Sequence, residues 1–245
     1  LLSRGLGDVY KRQHLYYING NLFYMSKNPI TEYGMKSDKV WHHHYDKPYH
    51  NHLQHLYENK GGILEIGFAK GKSISLWKNT FPNAFLYGLD IGKSYEEDRC
   101  IVFKGDQSNI ECLKELRNKL CDKDVFFIND DGSHIPEHQL LTFNTLFPIL
   151  KQGGIYIIED IETSYWTKSD CYGYPTNYGY KHPKSIIEIF KSNIDVMNKE
   201  FSNHNDTPVL HNNSIESITF SRNCIIIRKD EVIDYDRQYR MPQKL

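Results

Sequence analysis

GGILEIGFAKGKSISLWKNTFPNAFLYGLDI, residues 61–91, reads as a strand, a turn, a helix and a second strand in one unit. GGILEIG (61–67) is a short apolar run closed by glycine, Lys72–Asn79 has helical spacing, and AFLYGLDI (84–91) is apolar again. The alternation continues downstream. IVFKGD (101–106) is a third strand, and Asn109–Leu120 a helix with Leu113, Leu116 and Leu120 on one face. VFFIND (125–130) is a fourth strand, and GGIYIIED (153–160) a fifth. Between them, a helix opened by Pro136 carries Leu140, Phe143, Leu146, Phe147 and Leu150 at the 3.6-residue period. Nearly continuous apolar strands are covered on both faces. Their alternation with helices implies right-handed crossovers in a mainly parallel sheet.

Beyond the fifth strand, Ser185–Lys199 has helical spacing through Ile186, Ile189, Phe190 and Ile194. SITF (217–220) and CIIIRK (224–229), separated by Ser-Arg-Asn, form a terminal hairpin. The expected fold is therefore α/β: a Rossmann-like, doubly wound, mostly parallel seven-stranded sheet with an antiparallel C-terminal hairpin. The Tyr/Gly-rich segment Thr163–Pro183 is long enough to be a lid or substrate loop. The leader LLSRGLGDVYKRQ (1–13) has no initiating Met and no periodicity, resembles translated adapter sequence, and is set apart from the fold. Residues 14–60 are expected to form an N-terminal helical segment, 61–230 the main domain and 231–245 a polar tail.

With 245 residues, 39% hydrophobic and 25% charged, the chain has the composition of a globular domain with a full core. A net charge of −1 speaks against a nucleic-acid partner. No apolar run approaches the roughly 20 residues that span a bilayer. Five cysteines, none in a C-x-x-C pair, fit neither a disulfide framework nor a zinc site and point to the cytoplasm. The 18 Tyr and 12 Phe suit either partly exposed packing or a pocket for a ring-shaped ligand.

The turn after the first central strand is Glu65-Ile-Gly67-Phe-Ala-Lys-Gly71-Lys-Ser73. Its glycines let backbone approach a ligand that a Cβ would exclude. A P-loop needs G-x-x-x-x-G-K-[ST], and this turn is one residue short; the dinucleotide fingerprint G-x-G-x-x-G fails at Ala69. What remains is E-x-G-x-x-x-G-x-S, a loop for S-adenosylmethionine (SAM). A carboxylate at Glu65 would repel a pyrophosphate but suits a sulfonium and an amino group. Asp90, closing the second strand, can accept from both ribose hydroxyls, and Asp106-Gln107, closing the third, would lie near the adenine edge.

Ligands of open parallel sheets bind beyond the carboxyl ends of the strands. The fourth strand ends in Asn129-Asp130-Asp131-Gly132-Ser133-His134 and the fifth in Glu159-Asp160. Four converging carboxylates require a cation between them. A hard divalent ion such as Mg²⁺ accepts such oxygens. Adjacent strand residues face opposite ways, so Asp131, Glu159 and Asp160 are the expected ligands and Asp130 a structural residue. His134 is the candidate general base, its other reading being a turn histidine at the start of the next helix.

FINDDGSHIPEHQLLTFNTLFPILKQGGIYIIEDIETSYW resembles the core of the macrocin/mycinamicin sugar O-methyltransferases and the related cephalosporin hydroxylase-like group. The resemblance continues through IIEIFKSNIDVMNKEF (186–201) and IESITFSRNCIIIRK (215–229), and upstream through SDKVWHHHYDKPY (37–49), covering about residues 34–230. It implies a Mg²⁺-dependent, SAM-dependent O-methyltransferase acting on a small-molecule hydroxyl such as a sugar's, with Asp131, Glu159 and Asp160 on the metal and His134 as base. It leaves the macrolide substrate and the family's homo-oligomeric assembly open, because the macrolide enzymes carry an N-terminal region that this sequence lacks.

Two other classes remain in view: an NAD(P)-dependent oxidoreductase on a similar sheet, and a non-catalytic nucleotide-binding module. The missing fingerprint counts against the first, the intact Asp131, His134, Glu159 and Asp160 against the second. His42-His43-His44, His50, His52 and His55 are read as an N-terminal helix over the pocket, with His44, His52 and His55 near one helical face, rather than as a zinc site.

Overall fold

Each apolar run of residues 61–160 becomes a strand, and two strands precede them. The computed structural model describes residues 13–18, 21–26, 28–69, 71–166, 177–198 and 214–231. The leader up to residue 12 and the tail from 232 lie outside these residues, as do 167–176 of the expected loop. β1 (Gln13–Ile18) and β2 (Asn21–Ser26) form a separate antiparallel sheet, with Ile18 opposite Asn21. The segment expected to be helical thus begins with a hairpin. Its sequence, HLYYINGNLFYM, carries the signal: two aromatic-rich runs separated by Asn-Gly.

Three short helices follow: α1 (Pro29–Gly34), α2 (Asp38–Trp41) and α3 (Asp46–Leu53), the last running into a 3₁₀ turn at Gln54–Leu56. Asn28 caps α1 by accepting from the Ile30 and Thr31 amides, with Pro29 in the first helical position. Ser37 caps α2. The break between α2 and α3, where His44 has φ 57°, removes the continuous helix that would have aligned His44, His52 and His55.

The main sheet contains β3 (Gly61–Ile66), β4 (Ala84–Asp90), β5 (Tyr95–Glu97), β6 (Cys100–Lys104), β7 (Val125–Asp130), β8 (Ile155–Glu159), β9 (Ile215–Ser221) and β10 (Cys224–Lys229). Their order is β5-β6-β4-β3-β7-β8-β10-β9. β6, β4, β3, β7 and β8 are parallel, and β10 enters antiparallel against β8. This is the expected doubly wound sheet with its C-terminal hairpin, but with eight strands rather than seven. The addition is β5, an exposed edge strand antiparallel to β6. Tyr-Glu-Glu has no buried face, so apolar patterning cannot reveal it.

α4 (Lys72–Thr80), α5 (Ile110–Leu120), α6 (Pro136–Leu146) and α7 (Ile186–Met197) cover the sheet. Leu113, Leu116 and Leu120 of α5 are buried, as are Phe143, Leu146 and, just past α6, Phe147 and Leu150. α7 buries Ile186, Ile187, Ile189, Phe190 and Val196, whereas Ile194 is exposed, off the face assigned to it. One apolar layer centres on Phe143, Tyr156 and Phe190; the other centres on Trp77, Phe81 and Phe127 and takes in Tyr45, Tyr49 and Leu53 from the N-terminal segment. Several tyrosines are therefore packing residues. The chain reverses its winding between β4 and β7 on either side of β3, and that switch point opens a crevice at the strands' carboxyl ends.

Candidate active site

The glycine turn after β3 adopts the backbone its sequence suggests. Gly67 (φ 85°), Ala69 (φ 41°) and Gly71 (φ 72°) all have positive φ. A Cβ on Gly67 would overlap the Asp131 carbonyl and the Gly132 Cα, so glycine is what lets this turn lie against the turn after β7. A cavity of about 260 Å³ opens beside it, lined by Phe68, Ala69, Gly71, Asp90, Lys93 and Tyr95 among others. Asp90 Oδ2 accepts from the Phe68 and Ala69 amides, at 2.9 and 3.0 Å, and Oδ1 from the Gly92 amide at 2.7 Å. A carboxylate has about four acceptor sites, so capacity remains for a ligand's hydroxyls.

Other residues expected at the cofactor stand apart from this cavity's lining. Glu65 is buried and bonds inward, accepting from Ser73 Oγ and from Trp77 Nε1 at 2.9 Å. Ser73 is thus committed to Glu65. Asp106 is exposed and caps the following turn through the Ser108 amide. Gln107 is a buried brace: Nε2 donates to Asp130 Oδ1 (2.8 Å) and Thr142 Oγ1 (3.1 Å), and Oε1 accepts from the Ser133 amide (2.7 Å).

The carboxylates at the ends of β7 and β8 do converge, and the chain itself places a cation among them. Lys39 of α2, 1% exposed, puts Nζ 2.8 Å from Glu159 Oε1 and 3.4 Å from Glu65 Oε1, and in contact with Asp131 Oδ2. Burial alone pulls this ammonium's pKa down, but Asp131, Glu159 and Glu65 together hold it well above the lysine range. Burial pushes the three carboxyls up, opposed in each case by Lys39. Asn129 Nδ2 also donates to Glu159 Oε1, at 2.6 Å.

Asp131, His134 and Asp160 form a second group, with ligand atoms all within 4.8 Å of one another. Glu159 is outside it. His134 Nε2 lies 3.8 Å from Asp160 Oδ2, while Nδ1 is buried with no hydrogen-bond partner among the described residues. Both residues sit in the left-handed region, His134 at φ 58° and Asp160 at φ 53°. Non-glycine residues persist there only when their surroundings fix them, and such strain clusters at functional sites. Here Thr163 Oγ1 donates to the His134 carbonyl (2.6 Å). Tyr45 Oη donates to Asp160 Oδ1 (2.8 Å), and Asn223 Nδ2 donates to the same oxygen (3.0 Å). Burial and the neighbouring Glu159 push the Asp160 carboxyl up, while His134 and His43 oppose the shift.

Asp130, by contrast, points into the protein, fully buried against Gln107. Lys39, Tyr45 and Asn223 were missed by sequence reasoning. Lys39 and Tyr45 lie in SDKVWHHHYDKPY, a segment noted above for its resemblance and its histidines, and Asn223 is the last of the three residues between the expected hairpin strands.

The crevice therefore pairs a glycine-turn cavity ending in Asp90 with a carboxylate–imidazole group, in backbone contact through Gly67 and Asp131. Two carboxylates and an imidazole at such spacing suit a small hard cation and a proton acceptor beside it.

No protein-family model matches the chain. Demethylmacrocin O-methyltransferase of Streptomyces fradiae is 39% identical over 132 residues, which are 50% of this chain and 32% of that protein. The 8-demethyl-8-alpha-L-rhamnosyl tetracenomycin-C 2'-O-methyltransferase of Streptomyces olivaceus is 36% identical over 139 residues, 53% of this chain and 36% of that protein. The chain thus spans about one third of the length of these relatives. Among solved structures, the MycE methyltransferase of mycinamycin biosynthesis, in complex with Mg and SAH, superposes with a TM-score of 0.72 at 27% identity. That match covers 82% of this chain and 54% of MycE. In sequence and in fold, the chain is similar to sugar O-methyltransferases.

Proposed function

We propose that this chain carries the catalytic domain of a SAM-dependent O-methyltransferase whose acceptor is a hydroxyl of a small molecule of the sugar class. The observation that carries this reading is the meeting of Asp131, His134 and Asp160 in one group beside the glycine turn and the Asp90 cavity. The relatives are named as O-methyltransferases, one of them of a rhamnosyl tetracenomycin, which agrees with it.

In this reading Asp90 accepts from the ribose hydroxyls of SAM, and Gly67 and Gly71 let the backbone lie close to it. Glu65 and Ser73 act behind the turn, fixing α4 to β3. Gln107 braces the acid turn, and Asp106 shapes the loop beside it. Asp131 and Asp160 are the carboxylates that would hold a divalent cation, and Glu159 would join them where the cation takes over the Lys39 ammonium's contacts. When bound, Mg²⁺ supplies Lewis acidity, lowering the pKa of an acceptor hydroxyl.

His134 takes that hydroxyl's proton at Nε2, the atom facing Asp160, whose carboxylate stabilises the imidazolium that forms. The acceptor oxygen attacks the methyl carbon of SAM as the sulfonium bond breaks, leaving S-adenosylhomocysteine. The N-terminal segment packs against Asp131 and Asp160 through Lys39 and Tyr45.

Two measurements test the assignment. SAM should raise the melting temperature where NAD does not; stabilisation by NAD alone would overturn it. Transfer of labelled methyl from SAM to a sugar acceptor, sought among neutral and acidic sugars, should stop in EDTA and resume with Mg²⁺. Full activity in chelator would remove the cation from the mechanism.

A further inference from the structure

Two turns that supply no assigned cofactor or metal ligand face each other beside Asp160. One links α2 to α3 and carries His42, His43 and His44; the other is the β9–β10 turn, with Arg222 and Asn223. Together they line a cavity of about 420 Å³. It adjoins the Asp131–His134–Asp160 group directly. His43 Nδ1 lies 3.6 Å from Asp160 Oδ1, and Asn223 Nδ2 bonds that same oxygen.

The lining is rich in donors and contains no carboxylate. Asn223 turns its polar side-chain atoms inward: Nδ2 to Asp160 and Oδ1 to the Glu162 amide. Arg222 has no acidic partner among the described residues. Arg228 on the same hairpin is paired with Glu216 and Glu231, so a carboxylate was not hard to place here. The imidazoles are held rather than loose: His43 stacks on Tyr45 at 5.0 Å, and His42 packs edge-on against His43 at 4.6 Å. Each imidazole presents an N–H in either protonation state, and a guanidinium presents five donors in a planar fork. A neutral sugar's hydroxyls could be met by the imidazoles, which donate at one ring nitrogen and accept at the other when neutral, but they would leave the guanidinium's charge unanswered. An oxyanion accepts only, and it matches the fork in charge and geometry.

Taking the methyltransferase reading as its starting point, we propose that the acceptor carries an oxyanion, a phosphate or a carboxylate, which binds between Arg222 and the His42–His44 turn. Its reacting hydroxyl then lies toward Asp160 and His134. The cavity would thereby set both substrate class and orientation, selecting an acidic sugar over a neutral one.

The test is calorimetric binding of glucose, glucose 6-phosphate and glucuronate to the full chain and to Arg222→Gln, with SAM-induced thermal shifts recorded in parallel. At least one acidic sugar should bind about tenfold or more tighter than glucose, a difference of about 1.4 kcal/mol. The tighter of the two identifies the oxyanion. The advantage should shrink as salt is raised and vanish in Arg222→Gln, whose unchanged melting temperature shows that it folds. Equal binding of glucose, or an advantage that survives the substitution, overturns the proposal. A SAM shift without any preference for acid overturns this inference alone. A preference without a SAM shift overturns the methyltransferase reading and leaves the anion site standing.

Discussion

Lys39 Nζ lies 2.8 Å from Glu159 Oε1, joining two residues 120 positions apart, and the same ammonium touches Asp131. A divalent cation held by Asp131 and Asp160, and joined by Glu159, would share two carboxylates with that ammonium. The N-terminal segment therefore does more than cover the crevice, since its buried Lys39 neutralises carboxylates on which the site depends. A buried pair is weak evidence for stability, because desolvation opposes its Coulomb gain, but removing one partner strands the other charges.

Lys39→Met should therefore cost about 3–5 kcal/mol of stability in chelator, the range typical of breaking a buried pair. Mg²⁺ should recover much of that loss, so the metal-induced rise in melting temperature should be larger in the variant than in the wild type. Equal rises in both proteins would mean that the ammonium and the metal do not share ligands.

His134→Ala should lower turnover by about 10²-fold or more, because a positioned general base contributes on that order. SAM affinity should stay nearly constant, since the Asp90 cavity has no His134 in its lining. A variant that turns over normally would leave His134 as only a strained turn residue.

What the sequence makes legible follows from burial. β3, β7 and β8 are covered on both faces and announce themselves as unbroken apolar runs; the Leu113-Leu116-Leu120 stripe announces α5 in the same way. β5 has neither pattern, and the Asn-Gly between β1 and β2 stands in a stretch outside the strand–helix alternation that marks residues 61–160. At the site, the acids of β7 and β8 are adjacent in sequence to strand ends, so their convergence could be read and the need for a counter-cation deduced. That the chain supplies one in Lys39 could not be read, because nothing local to residues 37–41 distinguishes a buried lysine from a solvated one. Asn223 escapes for a similar reason: its backbone role in a hairpin turn is plain, and its side chain's role at Asp160, 63 residues away in sequence, is set by the β10–β8 pairing.

Asp130 gives a pH prediction. Burial disfavours its charged form and raises its pKa from 3.8 to about 7, against the hydrogen bond donated by Gln107. A carboxyl with a raised folded pKa keeps its proton when folded and loses it when unfolded, so stability falls as pH rises between those two values. The loss is about 1.4 kcal/mol per pH unit. In chelator, the wild type should thus weaken relative to Asp130→Asn as pH rises from about 4 to about 7. Urea unfolding across that range checks the slope, and parallel curves for the two proteins would show that Asp130 ionises normally.

Asn223 tests how Asp160 is held. Asn223 has φ 58° and Asp160 φ 53°, so the hairpin tip and the acid it contacts are both in the left-handed region. Asn223→Gly keeps the turn accessible while removing the amide that donates to Asp160 Oδ1, and Tyr45 Oη remains as the other donor to that oxygen. Partners of this kind orient a ligating carboxylate, and their loss typically costs about 10–100-fold in metal affinity. The variant should therefore bind Mn²⁺, used as a paramagnetic substitute for Mg²⁺, at least about tenfold more weakly. Its melting temperature in chelator should change little, because glycine relieves the backbone strain that the lost hydrogen bonds had offset. If Mn²⁺ affinity is unchanged, the Tyr45 hydroxyl alone suffices to aim Asp160, and the positioning role passes from the hairpin to the N-terminal segment.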